Sequence, residues 1–156
     1  MKNIVWKRSD GVVAITHIID QADSETDVPG HSSQDEAVLM IGRGDVPHGW
    51  EAAGFDAPVP SDRTFREAWA YVDSVEVDMT KAKEIWRDNI RAARKPILES
   101  LDVAFIRALE TGDTELVGDI RAQKQALRDA TDDPVIDAAA TPEELKAATP
   151  EVLKSK

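Results

Sequence analysis

The sequence has 156 residues, of which 42% are apolar and 31% charged, and its formal net charge at pH 7 is −11. Because it contains no cysteine, disulfides, thiolate metal sites and a cysteine nucleophile are excluded. No run of about 18 apolar residues occurs, so we expect no membrane-spanning helix. Residues 1–7 lack the apolar run of a signal peptide, and we expect synthesis in the cytoplasm.

The acidic charge is concentrated in the N-terminal half of the chain. Residues 1–78 contain six basic and fifteen acidic side chains, whereas residues 79–156 contain thirteen and fifteen. Affinity for nucleic-acid backbones comes mainly from clustered lysine and arginine. We therefore expect no nucleic-acid partner and, if any partner is charged, a basic protein.

Residues 1–78 show the signals of two β-hairpins. The β-branched runs 3–7 and 12–19 flank a turn that contains Asp10 and Gly11, and a second turn at Asp73 and Ser74 lies between alternating apolar residues. Residues 20–33 have no apolar periodicity and indicate a loop. Residues 46–60 are rich in proline and glycine, and we expect one short strand there, anchored by Trp50 and Phe55.

A short helix is predicted from Ser33 to Ile41. Ser33 and Glu36 match the capping-box pattern, and the inward residues would be Ala37, Val38 and Ile41. The following tripeptide, Arg43-Gly44-Asp45, matches a cell-adhesion motif. Three residues match by chance often, and glycines are needed to end a helix, so we favour a turn.

Residues 79–130 predict two helices that fold back on each other. Apolar residues recur every three or four positions in both arms: Ala82, Trp86, Ile90, Ala93, Ile97, Leu101, Ala104 and Ala108 in the first, and Leu116, Ile120, Leu127 and Ala130 in the second. Gly112 would end the first helix, and Asp113 or Thr114 would cap the second. Pro96 predicts a kink at residues 92–95.

The remaining chain predicts one or two short helices after a break at residues 132–134. Thr141, Pro142 and Glu144 form a strong helix start, with Glu144 completing a capping box. The fold class is therefore α+β: a small domain of hairpins and a short helix over residues 1–78, followed by a helical hairpin with short terminal helices over residues 79–156.

Residues suited to catalysis or metal binding are scarce. His17, His31 and His48 are widely spaced, and no motif for a metal pair, a phosphate loop or a nucleophile elbow is present. We expect no catalytic residues, no metal and no cofactor, and therefore no enzyme. An enzyme acting on cell-wall glycan is the remaining enzymatic alternative.

Two further patterns allow both a structural and a binding interpretation. A row of basic residues is spaced by four positions and comprises Lys83, Arg87, Arg91 and Lys95. This basic row could bind phosphate or an acidic partner, although we favour a solvated helix face. Four tryptophans could form a ligand cage, although core packing is favoured; they are Trp6, Trp50, Trp69 and Trp86.

The C-terminal half resembles a phage signature. Residues 124–131, together with Pro134 and residues 141–145, resemble the C-terminal end of small tail-associated proteins of tailed bacteriophages and prophages. Those proteins are tail assembly chaperone-like or fibre-associated. Residues 62–69 resemble a segment that precedes the helical hairpin in phage proteins. The resemblance implies a non-enzymatic structural component of the tail or fibre region. It would be made in the host bacterial cytoplasm and located in the virion. A transient tail assembly chaperone and a capsid-decorating protein are the alternatives.

Six residues form the predicted interface. Ile85, Phe105, Ile106 and Leu109 lie off the main apolar stripe, and Gln125 and Arg128 form a polar patch beside it. An exposed apolar row favours self-association, and the resemblance to fibre proteins favours a trimer with other virion proteins as partners. In the competing account the tail covers the row with Val135, Ile136, Leu145 and Val152.

Overall fold

A computed structural model describes residues 2–18 and 32–154 of the chain. The chain forms two compact units, Met1–Asp78 and Met79–Lys156, which we call the N-terminal unit and the helical unit and describe separately. The predicted α+β class is confirmed: antiparallel strands lie in the first unit and a long helix with shorter ones in the second. Most of the predicted loop at 20–33, including His31, lies outside the described residues.

A three-stranded antiparallel sheet organises the N-terminal unit. Strands β1 (Asn3–Arg8), β2 (Val13–His17) and β3 (Trp50–Phe55) have the spatial order β2-β1-β3. The β1–β2 turn has Gly11 at φ 84°, a conformation that favours glycine. Asp10 lies in the same turn and accepts hydrogen bonds from the Arg8 guanidinium and the Val12 N–H, which lower the pKa of Asp10 to about 2.

Helix α1 (Ser33–Arg43) packs on this sheet with a different face from the predicted one. The capping residue is Ser32, not Ser33: its hydroxyl accepts from the Asp35 N–H at 3.1 Å, and the Asp35 carboxylate accepts from the Ser32 N–H at 3.0 Å. Ser33 and Ala37 are buried, whereas Val38 and Ile41 are exposed. The predicted inward positions of Val38 and Ile41 are therefore wrong.

A second hairpin completes the N-terminal unit. Strands β4 (Trp69–Tyr71) and β5 (Val75–Val77) pair antiparallel after a short 3-10 turn, Arg66–Ala68. Among the described residues, two clusters contribute to the core of this unit. The first contains Val5, Val13, Ala57, Trp69 and Val75, and the second contains Ile4, Trp6 and Ala37. Trp6 and Trp69 thus lie in different clusters, which favours core packing over a shared ligand cage.

The longest helix of the helical unit is α2 (Met79–Thr111), which continues through Pro96. The kink expected at residues 92–95 stays a prediction. Gly112 follows at φ 70°, in the left-handed conformation that was predicted to end this helix. Asp113 then caps α3 (Thr114–Asp129) by accepting from the Leu116 N–H at 3.0 Å. The predicted end of α2 and the predicted cap of α3 are therefore confirmed.

Helices α2 and α3 share one core cluster. Ala108, Val117 and Ile120 are buried there, and Leu101, Ala104 and Phe105 pack around them. Val117, not Leu116, faces inward, and Leu116 is exposed. The predicted stripe was therefore displaced by one residue at its start, because Val117 and Ile120 lie three apart on the face that meets α2.

Three short helices follow: α4 (Pro134–Ala138), α5 (Pro142–Ala147) and α6 (Glu151–Lys154). The predicted break separates α3 from α4, since residues 130–133 are not helical. Its last residue, Pro134, starts α4, because Asp133 caps that helix by accepting from the Val135 N–H and proline suits the first helical position. Thr141 caps α5 as predicted, but the Glu144 carboxylate accepts from the Ala140 N–H at 2.8 Å rather than from that of Thr141.

Candidate protein-interaction surface

Three large apolar side chains are exposed together in the second half of α2. Val103, Ile106 and Leu109 are spaced by three residues, which makes each a surface neighbour of the next on a helix. Ile106 is 56% exposed and Leu109 54% exposed. We call these three residues the apolar row. Of the tail residues predicted to cover the row, Ile136 and Leu145 are buried and Val135 is exposed, and the side chain of Val152 lies outside the described ones. The row stays exposed beside the described part of the tail.

Phe105 and Ile85, two other predicted interface residues, are less accessible. Phe105 is half-buried against the α2–α3 cluster. Its ring lies 5.5 Å from the Arg121 guanidinium carbon and 5.3 Å from Lys124 Nζ, within the range of cation–π attraction. Ile85 is also half-buried. Phe105 therefore contributes mainly to packing between the two helices.

The polar pair Gln125 and Arg128 lies on the exposed side of α3. Gln125 Nε2 donates to Asp129 Oδ1 at 2.8 Å, one helical turn away. The side chains of Arg121 and Arg128 are also exposed on this helix. The structure thus leaves two arginines accessible on α3, the helix that packs against α2.

Arg94 forms a contact between α2 and α3 that the sequence pattern does not predict. Its Nη1 donates to the carbonyl oxygens of Leu127 at 3.0 Å and Arg128 at 2.7 Å. These carbonyls belong to the last turn of α3, where intrahelical donors are missing. Arg94 therefore fixes the end of α3 to α2, a contact that no local spacing predicts because 33 residues separate Arg94 from Leu127.

We expect Arg94→Met to lower the free energy of unfolding of the helical unit by about 2 kcal/mol. Methionine keeps the aliphatic stem but loses hydrogen bonds from a charged donor to carbonyl oxygens. Arg91→Met is the matched control, because it removes only an exposed pair with Asp88 at 2.6 Å, for which about 0–1 kcal/mol is usual. Urea titration monitored by circular dichroism measures both. Equal losses in the two variants would contradict the assignment.

The basic row on α2 is largely engaged within the helical unit. Lys83 Nζ donates to the Asp137 carbonyl oxygen at 2.7 Å, and Arg87 pairs with the Asp137 carboxylate at 2.5 Å. That carboxylate raises the pKa of Arg87. Arg91 pairs with Asp88. These contacts attach α4 to α2 and favour a structural explanation of the row over phosphate binding.

The other sequence motifs receive structural explanations. Arg43 pairs with Glu36 at 3.0 Å and with Asp45 at 2.9 Å, so the two charges of the adhesion-like tripeptide bind each other, and Gly44 takes the left-handed conformation that ends α1. Across the described residues there is no group of three histidine or acidic side chains suited to a metal ion. Within residues 2–18 and 32–154, no helix has the length and apolarity to cross a membrane.

No family model, curated protein or solved structure matches the chain.

Proposed function

We propose that this protein is a non-enzymatic structural component of a tailed phage particle, in the tail or fibre region, and that the apolar row is its contact surface. The observation that carries the proposal is that Ile106 and Leu109 stay more than half exposed with the tail helices in place. Contiguous exposed apolar side chains are typical of protein interaction sites. The location in a phage particle rests on the sequence resemblance.

The surroundings of the row suit a protein partner. Protein interfaces combine an apolar centre with a polar rim in which arginine is enriched. Arg107 is exposed on α2 directly after Ile106, and the exposed Arg121 of α3 lies beside Phe105, the residue before Ile106. We further propose that copies of the chain associate through the row about a rotation axis, with a trimer favoured, and that neighbouring virion proteins bind the same unit.

Mass spectrometry of purified virions tests the location. We expect peptides of this protein in the particle at a copy number similar to those of tail proteins. Abundance in infected cells together with absence from virions would overturn the structural proposal and favour the alternative, a transient tail assembly chaperone. Labelling of the particle and imaging would separate a tail or fibre position from a capsid-decorating one.

The self-association proposal predicts that Ile106→Glu converts an oligomer to a monomer. A carboxylate at the centre of an apolar contact loses its hydration without a partner. Sedimentation velocity at micromolar concentration measures the change. Val38→Glu is the matched control, because Val38 is an exposed apolar residue of α1 in the N-terminal unit, and it should leave the mass unchanged.

Two results would contradict the self-association proposal. One is a wild-type protein that sediments as a monomer, and the other is an oligomer that Ile106→Glu leaves intact. Ile106→Glu is a cleaner test than Phe105→Glu, because Phe105 also packs in the α2–α3 core. Neither result bears on whether the protein is present in virions.

A further inference from the structure

The N-terminal unit contains a cavity of about 400 Å³ that the proposed function does not use. It lies beside the paired ends of β1 and β2 and the segment that follows β3. Its wall is formed in part by Asn3, His17, Asp56, Pro58, Pro60 and Arg63. We call it the His17 pocket. A volume of this size is at the lower end of the range for small-molecule sites.

Arg63 contributes guanidinium N–H donors to this pocket, and no carboxylate among the described residues pairs with them. Its Nη2 lies 3.2 Å from His17 Nε2, and because a guanidinium only donates, His17 Nε2 must accept in this contact. Among the described residues Arg63 forms no ion pair. By contrast, Arg8 and Arg43 of the same unit are both paired with acids. Arg63 therefore has free N–H groups for an anionic ligand.

Asp56 supplies the opposite charge. Its Oδ1 accepts from the Asn3 N–H at 3.0 Å and from the Ser33 hydroxyl at 2.5 Å, and these bonds lower the pKa of Asp56. Within the described part of the chain Oδ2 has no hydrogen-bond donor. Asp56 also has a φ of 54°, which is uncommon for a residue other than glycine and is often found at functional sites.

Two buried polar atoms in the pocket wall are unsatisfied. Asn3 is only 4% exposed, and its Oδ1 has no partner among the described residues. The same holds for His17 Nδ1, which carries the ring proton when Nε2 accepts from Arg63. Asn3 and His17 are opposed residues of the β1–β2 pair. Buried polar atoms normally have partners, and both of these atoms belong to residues that line the pocket.

From these contacts we propose that the His17 pocket binds a small zwitterion such as a free amino acid. Its carboxylate would bind the free N–H groups of Arg63, because guanidinium and carboxylate form strong, directional hydrogen bonds. Its ammonium group would bind Asp56 Oδ2, and an aliphatic side chain would pack on Pro58 and Pro60. The proposal goes beyond the proposed virion function and does not depend on it.

Titration of the full chain with L-valine, followed by ¹H–¹⁵N NMR, tests the proposal. We expect saturable shifts at the amides of Ser61 and Arg63, with a Kd in the millimolar range. N-acetyl-L-valine lacks the ammonium group and L-valinamide lacks the carboxylate, so each should bind at least about tenfold more weakly, as expected when one hydrogen bond to a charged group is lost.

A pair of arginine variants locates the site. Arg63→Gln should weaken L-valine binding at least about tenfold, whereas Arg66→Gln should not change it. Arg66 is an exposed arginine of the adjacent 3-10 turn that does not line the pocket. Absence of saturable shifts, or equal binding of L-valine and both derivatives, would overturn the proposal. This ligand comparison uses the wild-type chain and stands even if Arg63→Gln does not fold.

Discussion

Ile120→Ala is expected to lower the free energy of unfolding of the helical unit by about 3 kcal/mol. Ile120 is 3% exposed and lies among Ala108, Val117 and Leu101. Removing its buried carbons loses transfer free energy and leaves a cavity that the helices only partly close. Thermal and urea unfolding monitored at the helical circular dichroism band measure the loss.

Two companion substitutions make this measurement specific. Ile120→Val removes one methylene and should cost about 1 kcal/mol. Leu116→Ala lies on the same helix at an exposed position and should change stability by less than about 0.5 kcal/mol. If Leu116→Ala were as costly as Ile120→Ala, the inward face of α3 would be misassigned.

Ile4→Ala is expected to destabilise the N-terminal unit by a similar amount, about 3 kcal/mol. Ile4 is fully buried in the central strand and packs with Trp6 and Ala37. Tryptophan fluorescence during urea unfolding reports on this unit, because Trp6, Trp50 and Trp69 all belong to it; Trp86→Phe removes the signal of the helical unit.

Ile41→Ala provides the same chemical change at an exposed position. Ile41 is 55% exposed on α1, and its truncation should alter stability by less than about 0.5 kcal/mol. The sequence pattern alone places Ile41 inward, so this comparison decides between the two faces of the helix. A loss for Ile41→Ala that matches that of Ile4→Ala would support the sequence-based face and contradict the structure.

Features that depend on near neighbours in the chain could be predicted from the sequence. The hairpins at Gly11 and Asp73 are observed, and a strand does lie between Trp50 and Phe55. Gly112 ends α2, and Asp113 caps α3. Each of these signals acts within about four residues, through a backbone conformation or a side-chain cap, and therefore needs no knowledge of tertiary contacts.

The wrong assignments arose where tertiary packing selects between nearly equal local options. Both Ser32 and Ser33 can cap a helix, but Ser33 is buried and donates to Asp56, which leaves Ser32 as the cap. Val38 and Ile41 are as apolar as a core requires, yet the smaller Ala37 faces the sheet. Which face of a short helix meets a sheet depends on the space available there, and composition does not encode that space.

The residues of the two proposed sites also differ in whether the sequence alone could indicate them. Ile106 and Leu109 stand off the apolar stripe in the sequence and are exposed in the structure, whereas Phe105 is covered by Arg121 and Lys124 of the other helix. The bond from Arg94 to the end of α3 and the meeting of His17 with Arg63 join distant residues. No periodicity or motif connects such pairs, so these contacts can be identified only from the folded structure.

The strand order β2-β1-β3 also affects how quickly the N-terminal unit can fold. Strand β1 must pair with β3 across a long intervening segment, since Ile4 is opposed to Phe55, whereas α2 and α3 meet across a single short turn. Closing a longer loop costs more entropy, and chains with distant contacts fold more slowly. The N-terminal unit leaves the ribosome first, yet its sheet closes only once β3 is available, whereas α2 can pack against α3 as soon as both helices have emerged.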